Sequence, residues 1–256
     1  MSLDREPAAK RALGERLLAM ADDELILAHR NSEWTGHAPI LEEDIAFANI
    51  AQDELGHAML WYSLLADLTG DDPDHLAFFR EAAGFRCSQM VELPRGDWAF
   101  SMLRQYLFDA YEMVLLAELA GSSYRPLAEA AAKMRPEEIY HRRHTGAWIR
   151  RLGLGTAESN GRVQRALETL WPMTGQLFWM ADDYSILTAA GIMPDLTQVA
   201  VRWSEMVEPF LVDVELSLPI GVDNKALPPR GAHSPYLAPL LAEMQEVARL
   251  DEAAQW

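Results

Sequence analysis

A chain of 256 residues, half of them apolar, can bury one large core, which points to a single helical domain with appendages rather than two independent domains. Its formal net charge of −17 leaves no cationic surplus for neutralising phosphates, so nucleic acid and anionic membranes are excluded as general partners. The one cysteine, Cys87, rules out an intramolecular disulfide and thiolate metal clusters.

The N-terminal stretch MSLDREPAAKRALGERLL is charged throughout and holds no apolar signal core. No later window of about 18 residues is apolar enough to span a bilayer, so a soluble cytoplasmic protein is expected. From Pro7 to Arg30 apolar residues recur at helical spacing (Leu13, Leu17, Met20, Leu27), which predicts a first long helix with Glu24 inside it. Gly36-His37-Ala38-Pro39 breaks it, and Glu42, Glu43 and Asp44 then suit the positive end of a second helix over Leu41 to Leu68. Breakers at Gly70 to Pro73 and Pro94 to Gly96 bracket a crossover with room for one short helix. A third helix over Asp97 to Ser122 and a fourth over Pro126 to Leu152 are joined by a short loop, which makes them antiparallel neighbours. These four make a bundle core over residues 7–152. Accessory helices are predicted over Asn160 to Met180 and Leu196 to Leu216. Pro219 to Pro235, rich in proline and glycine, is predicted to run over the surface before a last helix over Tyr236 to Ala254, all within one domain of residues 1–256.

Two copies of Glu-x-x-His lie in the bundle, Glu54 with His57 on the second helix and Glu138 with His141 on the fourth. A spacing of three puts both side chains on one helix face, where they can grip the same ion. The other two helices each place a glutamate in an apolar stripe, Glu24 and Glu112, and a buried lone carboxylate is costly unless paired, protonated or metal-bound. The order Glu, Glu-x-x-His, Glu, Glu-x-x-His is that of ferritin-like di-iron and di-manganese carboxylate bundles.

Short motifs match by chance, so height along the bundle is the stronger criterion. Counted from the helix ends, Glu24 and Glu54 differ in height by roughly 6 Å, and Glu112 and Glu138 by roughly 3 Å. All four carboxylates can meet at one level. Four carboxylates and two imidazoles without thiolate suit iron, with manganese as the alternative and zinc permitted on affinity grounds. Asp53, beside Glu54, is a candidate for orienting a ligand histidine from outside the ligand set, or else a solvated charge. The competing account of the whole set is a buried hydrogen-bonded network or surface residues. His144, His29 and His37 read as core, rim or capping residues. Arg142, Arg143, Arg150 and Arg151 read as a solvated face near a helix C-terminus or as a hold for an anionic group, and Trp61, Trp148 and Trp171 as packing residues.

Several stretches resemble the PaaC-type subunit of the phenylacetyl-CoA epoxidase (phenylacetate-CoA oxygenase) complex of bacterial phenylacetate degradation. They are Asp22 to Leu27 with Arg30, Ser32-Glu33-Trp34, Gly36 to Pro39, Leu41 to Ala46, Pro94 to Ala99, Gln105 to Ala110, Arg230 to Ser234 and Leu240 to Gln245. The resemblance covers nearly the whole chain. It implies a ferritin-like fold, a homo- or hetero-oligomer with a homologous ferritin-like catalytic subunit, a separate reductase as electron donor, and an aromatic acyl-CoA substrate. It also implies a structural role, since such subunits commonly lack a working di-metal set. This sequence departs from that pattern, with Glu24, Glu54 and His57 standing beside Glu112, Glu138 and His141. Three readings remain open at this point: an oxygenase subunit with its own di-iron centre, a scaffold for a catalytic subunit, and a free-standing ferritin-like iron or manganese protein.

Overall fold

The computed structural model describes residues 6–219 and 227–251, and every regular element among them is helical. The four long helices are α1 (Pro7–Ser32), α2 (Leu41–Thr69), α5 (Trp98–Leu119) and α6 (Arg125–Gly153). Local chemistry sets their ends. Three acidic residues in its first turn favour the start of α2, and Gly70, at φ 86°, closes it by donating its N–H to the Ala66 carbonyl. Asp97 caps α5 by accepting from the Phe100 N–H at 2.9 Å. Pro126 opens α6, where its missing N–H costs nothing.

The chain divides into two compact units, one of residues 13–94 with 228–256 and one of residues 1–12 with 95–227. In the first unit most of α1 pairs antiparallel with α2. Leu65 lies 3.6 Å from the Cβ position of Gly14, Tyr62 reaches Asp22, and His57 faces Glu24, so positions climb α1 as they descend α2. In the second unit α5 and α6 pair the same way: Tyr106 lies against Gly146, Asp109 meets Thr145, and Met113 meets Arg142. Around them pack α7 (Ala157–Leu170), α8 (Tyr184–Ala189) and α9 (Leu196–Asp213). A Cβ on Gly153 would stand 2.5 Å from the Val214 carbonyl oxygen, so only glycine lets the segment after α9 come this close to α6.

Between α2 and α5 the crossover holds two short helices, α3 (Pro73–Phe78) and α4 (Gln89–Glu92), with a 3-10 turn between them, where one helix was expected. The predicted helix over Asn160 to Met180 is α7 followed by a 3-10 stretch over Trp171–Phe178, because Pro172 blocks α-helical continuation. The last helix is α10 (Leu237–Met244) with a 3-10 turn at Ala248–Leu250, shorter than expected, and the end of the predicted span lies outside the described residues. Part of the predicted surface run from Pro219 also lies outside them. Its described end lies at the surface at Pro229, Gly231 and Pro235 but is anchored between them by Arg230, which is 1 % exposed and pairs with Asp23 at 2.6 Å.

That pair belongs to a network rooted in α1. Asp22 accepts from the Tyr62 hydroxyl, from Arg80 and from the Arg86 N–H at 2.6 Å. Asp23 accepts from the Ser88 N–H at 2.6 Å and from Arg230. Two adjacent buried carboxylates thus hold the crossover and the C-terminal segment onto one helix. Breaking a buried charge pair from one side strands the other charge. Asp22→Ala is therefore expected to cost about 3–5 kcal/mol in urea unfolding, whereas Asp183→Ala, which removes the exposed pair with Arg11, is expected to change stability by under about 1 kcal/mol.

Candidate metal centre

Glu24, Glu54, Glu138 and His141 are fully buried, and His57 and Glu112 are 1 % exposed. In the first unit the register of α1 against α2 brings Glu24 to the Glu54–His57 face. His57 Nδ1 lies 3.7 Å from Glu24 Oε1 and 3.9 Å from Glu54 Oε2, and one donor atom from each residue lies within 4.8 Å of the others. These separations exceed hydrogen-bond reach, about 3.2 Å for N–H to O. They fit donors facing one cation, because two ligand atoms each bound at about 2.0–2.2 Å stand up to about 4.4 Å apart. Burial and spacing together suit this group to receive an ion.

In the second unit α6 places Glu138 and His141 on its buried face, with His141 Nδ1 3.0 Å from Glu138 Oε1. That distance serves a hydrogen bond or two neighbouring ligands of one ion. On α5, Glu112 is buried one turn beyond Asp109, whose carboxylate accepts from Gln105 Nε2 at 2.5 Å and Thr145 Oγ1 at 2.7 Å. Asp109 therefore stitches α5 to α6 close to both Glu112 and His141. Pro136 sits inside α6, one residue before the Glu137-Glu138 pair; it removes a backbone hydrogen bond at the turn that presents the ligands.

Among the other sequence candidates, Asp53 is half-buried beside Glu54. His144 is half-buried and stacks on Tyr140. His37 is exposed, and burial holds the His29 imidazole below its ordinary pKa. Arg142 donates to Met113 Sδ at 2.7 Å, while Arg150 and Arg151 lie over the Phe210 and Trp148 rings. The tryptophans pack as expected: Trp61 is fully buried, Trp148 meets Trp98 edge-on, and Trp171 lies against Trp203.

A second grouping went unread in the sequence. Cys87, Glu92 and His233 bring a sulfur, a carboxylate oxygen and a ring nitrogen within 4.8 Å. Hydrogen bonds account for it. His233 Nε2 donates to the Phe85 carbonyl at 3.1 Å, its Nδ1 lies 2.7 Å from Glu92 Oε1, and the Ser234 N–H donates to Glu92 Oε2 at 2.6 Å. A carbonyl only accepts, so Nε2 is the donor in that contact. The group clamps the C-terminal segment to the crossover. Its only local signal was the Arg230-Gly-Ala-His233 stretch, whose partners lie some 140–210 residues earlier in the chain.

Burial, then the Glu92 carboxylate, pushes the Cys87 thiol well above its ordinary pKa; burial, then Asp22, does the same for the Tyr62 phenol. The folded state keeps both protonated where the unfolded chain ionises. The stability they lend is complete below the unfolded thiol's value of about 8.5 and is lost as pH rises beyond it. The urea midpoint is expected to hold steady up to about pH 8 and then fall, less steeply in Cys87→Ala and Tyr62→Phe. Native Cys87 is expected to resist iodoacetamide until the chain unfolds.

No helix among the described residues is long and apolar enough to cross a membrane. The sequence matches the family model described as "Phenylacetic acid catabolic protein" over residues 2–256. It is 38% identical over 241 residues to the C-type subunit of the 1,2-phenylacetyl-CoA epoxidase of Escherichia coli (strain K12), covering 93% of this chain and 97% of that one. It is 25% identical over 178 residues to the A-type subunit of the same organism's epoxidase, covering 70% of this chain and 57% of that one. With an all-α, ferritin-like build and a family match along its length, the chain belongs to the phenylacetic acid catabolic protein family.

Proposed function

We propose that this chain is a cytoplasmic subunit of an oxygen-dependent epoxidase acting on the aromatic ring of phenylacetyl-CoA, and that it carries its own di-metal centre. The ligands are Glu24, Glu54, His57, Glu112, Glu138 and His141. The observation that carries the reading is the buried Glu24–Glu54–His57 receptacle in a chain so similar to a known epoxidase component. Oxygen and imidazole donors suit iron, with manganese as the alternative. When bound, a di-iron centre supplies the oxygen chemistry of ring epoxidation.

The chain's own residues hold and shield the ions. Glu24, Glu54, Glu112 and Glu138 supply negative charge that offsets the cations, and each histidine turns Nδ1 toward a carboxylate, which fixes the ring nitrogen that would be offered to metal. Asp53 would orient a ligand histidine from the side. Burial of all six excludes water, which strengthens every charge interaction among them. Electrons would come from a separate reductase and the second half of the enzyme from a homologous ferritin-like partner, as the similarity to two different components of one epoxidase supports.

The second reading is a scaffold that supports a metal-loaded partner, favoured by the higher identity to the C-type than to the A-type epoxidase component. Elemental analysis of the purified chain, alone and with its partner, separates the two. About two irons per chain are expected, with Glu54→Ala and His141→Ala each losing stoichiometric metal. Normal metal content in both variants would sink the six-ligand set, and a metal-free chain bound to a loaded partner would establish the scaffold.

A further inference from the structure

A metal centre closed to water still has to be supplied with electrons. Putting one atom of O2 into a ring and the other into water consumes two electrons and two protons, and all six ligand residues are buried. The outer face of α6 offers a way in. Tyr140, which precedes His141 in the chain, is 48 % exposed, and its ring stands edge-on to the buried His141 imidazole with centroids 6.1 Å apart. The same ring stacks on His144 at 5.9 Å. One side chain thus meets solvent on one side and a ligand imidazole on the other. Electrons cross packed atoms faster than gaps, so an exposed ring laid against a ligand is a short route between the surface and the ion.

Charge selects what docks there. Beside Tyr140, Ile139 is 46 % exposed; Lys133, Arg135 and Arg143 are exposed and Arg142 is half-buried. Lys133 and Arg143 fall roughly 20° and 60° round the helix from Tyr140. Of the α6 carboxylates within about two turns of Tyr140, Glu138 is buried and Glu137 half-buried. A chain of net charge −17 therefore presents here an aromatic and apolar centre with a cationic rim, which complements an acidic surface. We propose that this face of α6 is an electron port: an acidic one-electron carrier protein docks on Ile139 and Tyr140 inside the cationic rim, and its electron reaches the centre through the Tyr140 and His141 rings. In each transfer the carrier loses one electron and the centre gains one, while Tyr140 ends unchanged and keeps its phenolic proton. The inference rests on reading this chain as the holder of a di-metal centre, and it names where that centre is supplied and the chemistry of the supplier.

The test uses the full iron-loaded chain with the reductase of its host's epoxidase as the probe. Calorimetry reads binding, stopped-flow absorbance reads reduction of the centre, and metal content and thermal melting are measured for every variant. Wild type is expected to bind the reductase with an affinity that falls as salt rises. Lys133→Glu with Arg143→Glu should weaken binding at least about tenfold at low ionic strength and flatten its salt dependence, while reduction at saturating reductase stays as in wild type. Tyr140→Ala should slow that saturated step severalfold, and Tyr140→Phe, which keeps the ring, should run as wild type. Arg125→Glu makes the same charge change about 22 Å away along α6 and should bind as wild type. Metal-loaded variants that bind and reduce like wild type overturn the inference and leave the metal centre standing. Binding indifferent to salt, a Tyr140→Phe as slow as Tyr140→Ala, or rim variants that disturb only self-association or the A-type component also overturn it. A chain without metal overturns the port together with the centre, and elemental analysis of the same samples tells that failure from the others.

Discussion

Three consecutive acidic residues of α1, Asp22, Asp23 and Glu24, are all buried, and the rest of the first unit is arranged to make that tolerable. Successive side chains leave a helix about 100° apart, so the three cannot share a partner. Asp22 turns to Tyr62, Arg80 and the Arg86 backbone, Asp23 to Ser88 and Arg230, and Glu24 to His57. Together the three directions recruit α2, the crossover and the C-terminal segment. The crossover is held because its backbone N–H groups complete these carboxylates, and the C-terminal segment is held because its arginine neutralises one of them. Arg30, near the C-terminal end of α1, works outward in the same way, donating to the Glu92 carbonyl at 2.7 Å and the Tyr236 carbonyl at 3.2 Å.

This constraint separates two kinds of buried carboxylate. Asp22 and Asp23 are answered by guanidinium groups and backbone donors at hydrogen-bond distance, and such pairs serve placement more than net stability. Glu24 and Glu54 face an imidazole nitrogen at 3.7 and 3.9 Å, too far for a hydrogen bond and suited to an intervening ion. The Cys87–Glu92–His233 group makes the contrast sharper. Its donor atoms are equally close, yet the short His233–Glu92 and His233–Phe85 contacts mark a hydrogen-bonded clamp. Proximity alone does not distinguish a metal receptacle from a structural clamp; the separation of the donors and what their remaining atoms touch do.

The long helices were legible because their signals are local. Apolar periodicity, the acidic first turn of α2, Asp97 before α5 and Pro126 at the start of α6 act within a turn of where they appear, and the observed ends fall within three residues of the expected ones. That the six candidate residues face inward was legible because a three-residue spacing on a helix fixes a shared face and the two lone glutamates sit in apolar stripes, and all six are buried. What stayed hidden is what depends on distant partners. Proline and glycine around Arg230 read as exposed loop, and nothing nearby in sequence says that Asp23, some 200 residues earlier, waits for its guanidinium. Likewise the short α8 has too few residues to show a period, and Pro172 converts an apolar run that reads as one helix into α7 and a 3-10 stretch.

The physical case against a purely structural role comes from what a scaffold requires. Holding helices together needs apolar side chains of suitable volume, and replacing buried ionic groups by such residues is often neutral or stabilising. A chain that served only as support would gain nothing from burying Glu24, Glu54, Glu112, Glu138, His57 and His141, each of which must be compensated. Coordination of an ion, as proposed, would compensate all six.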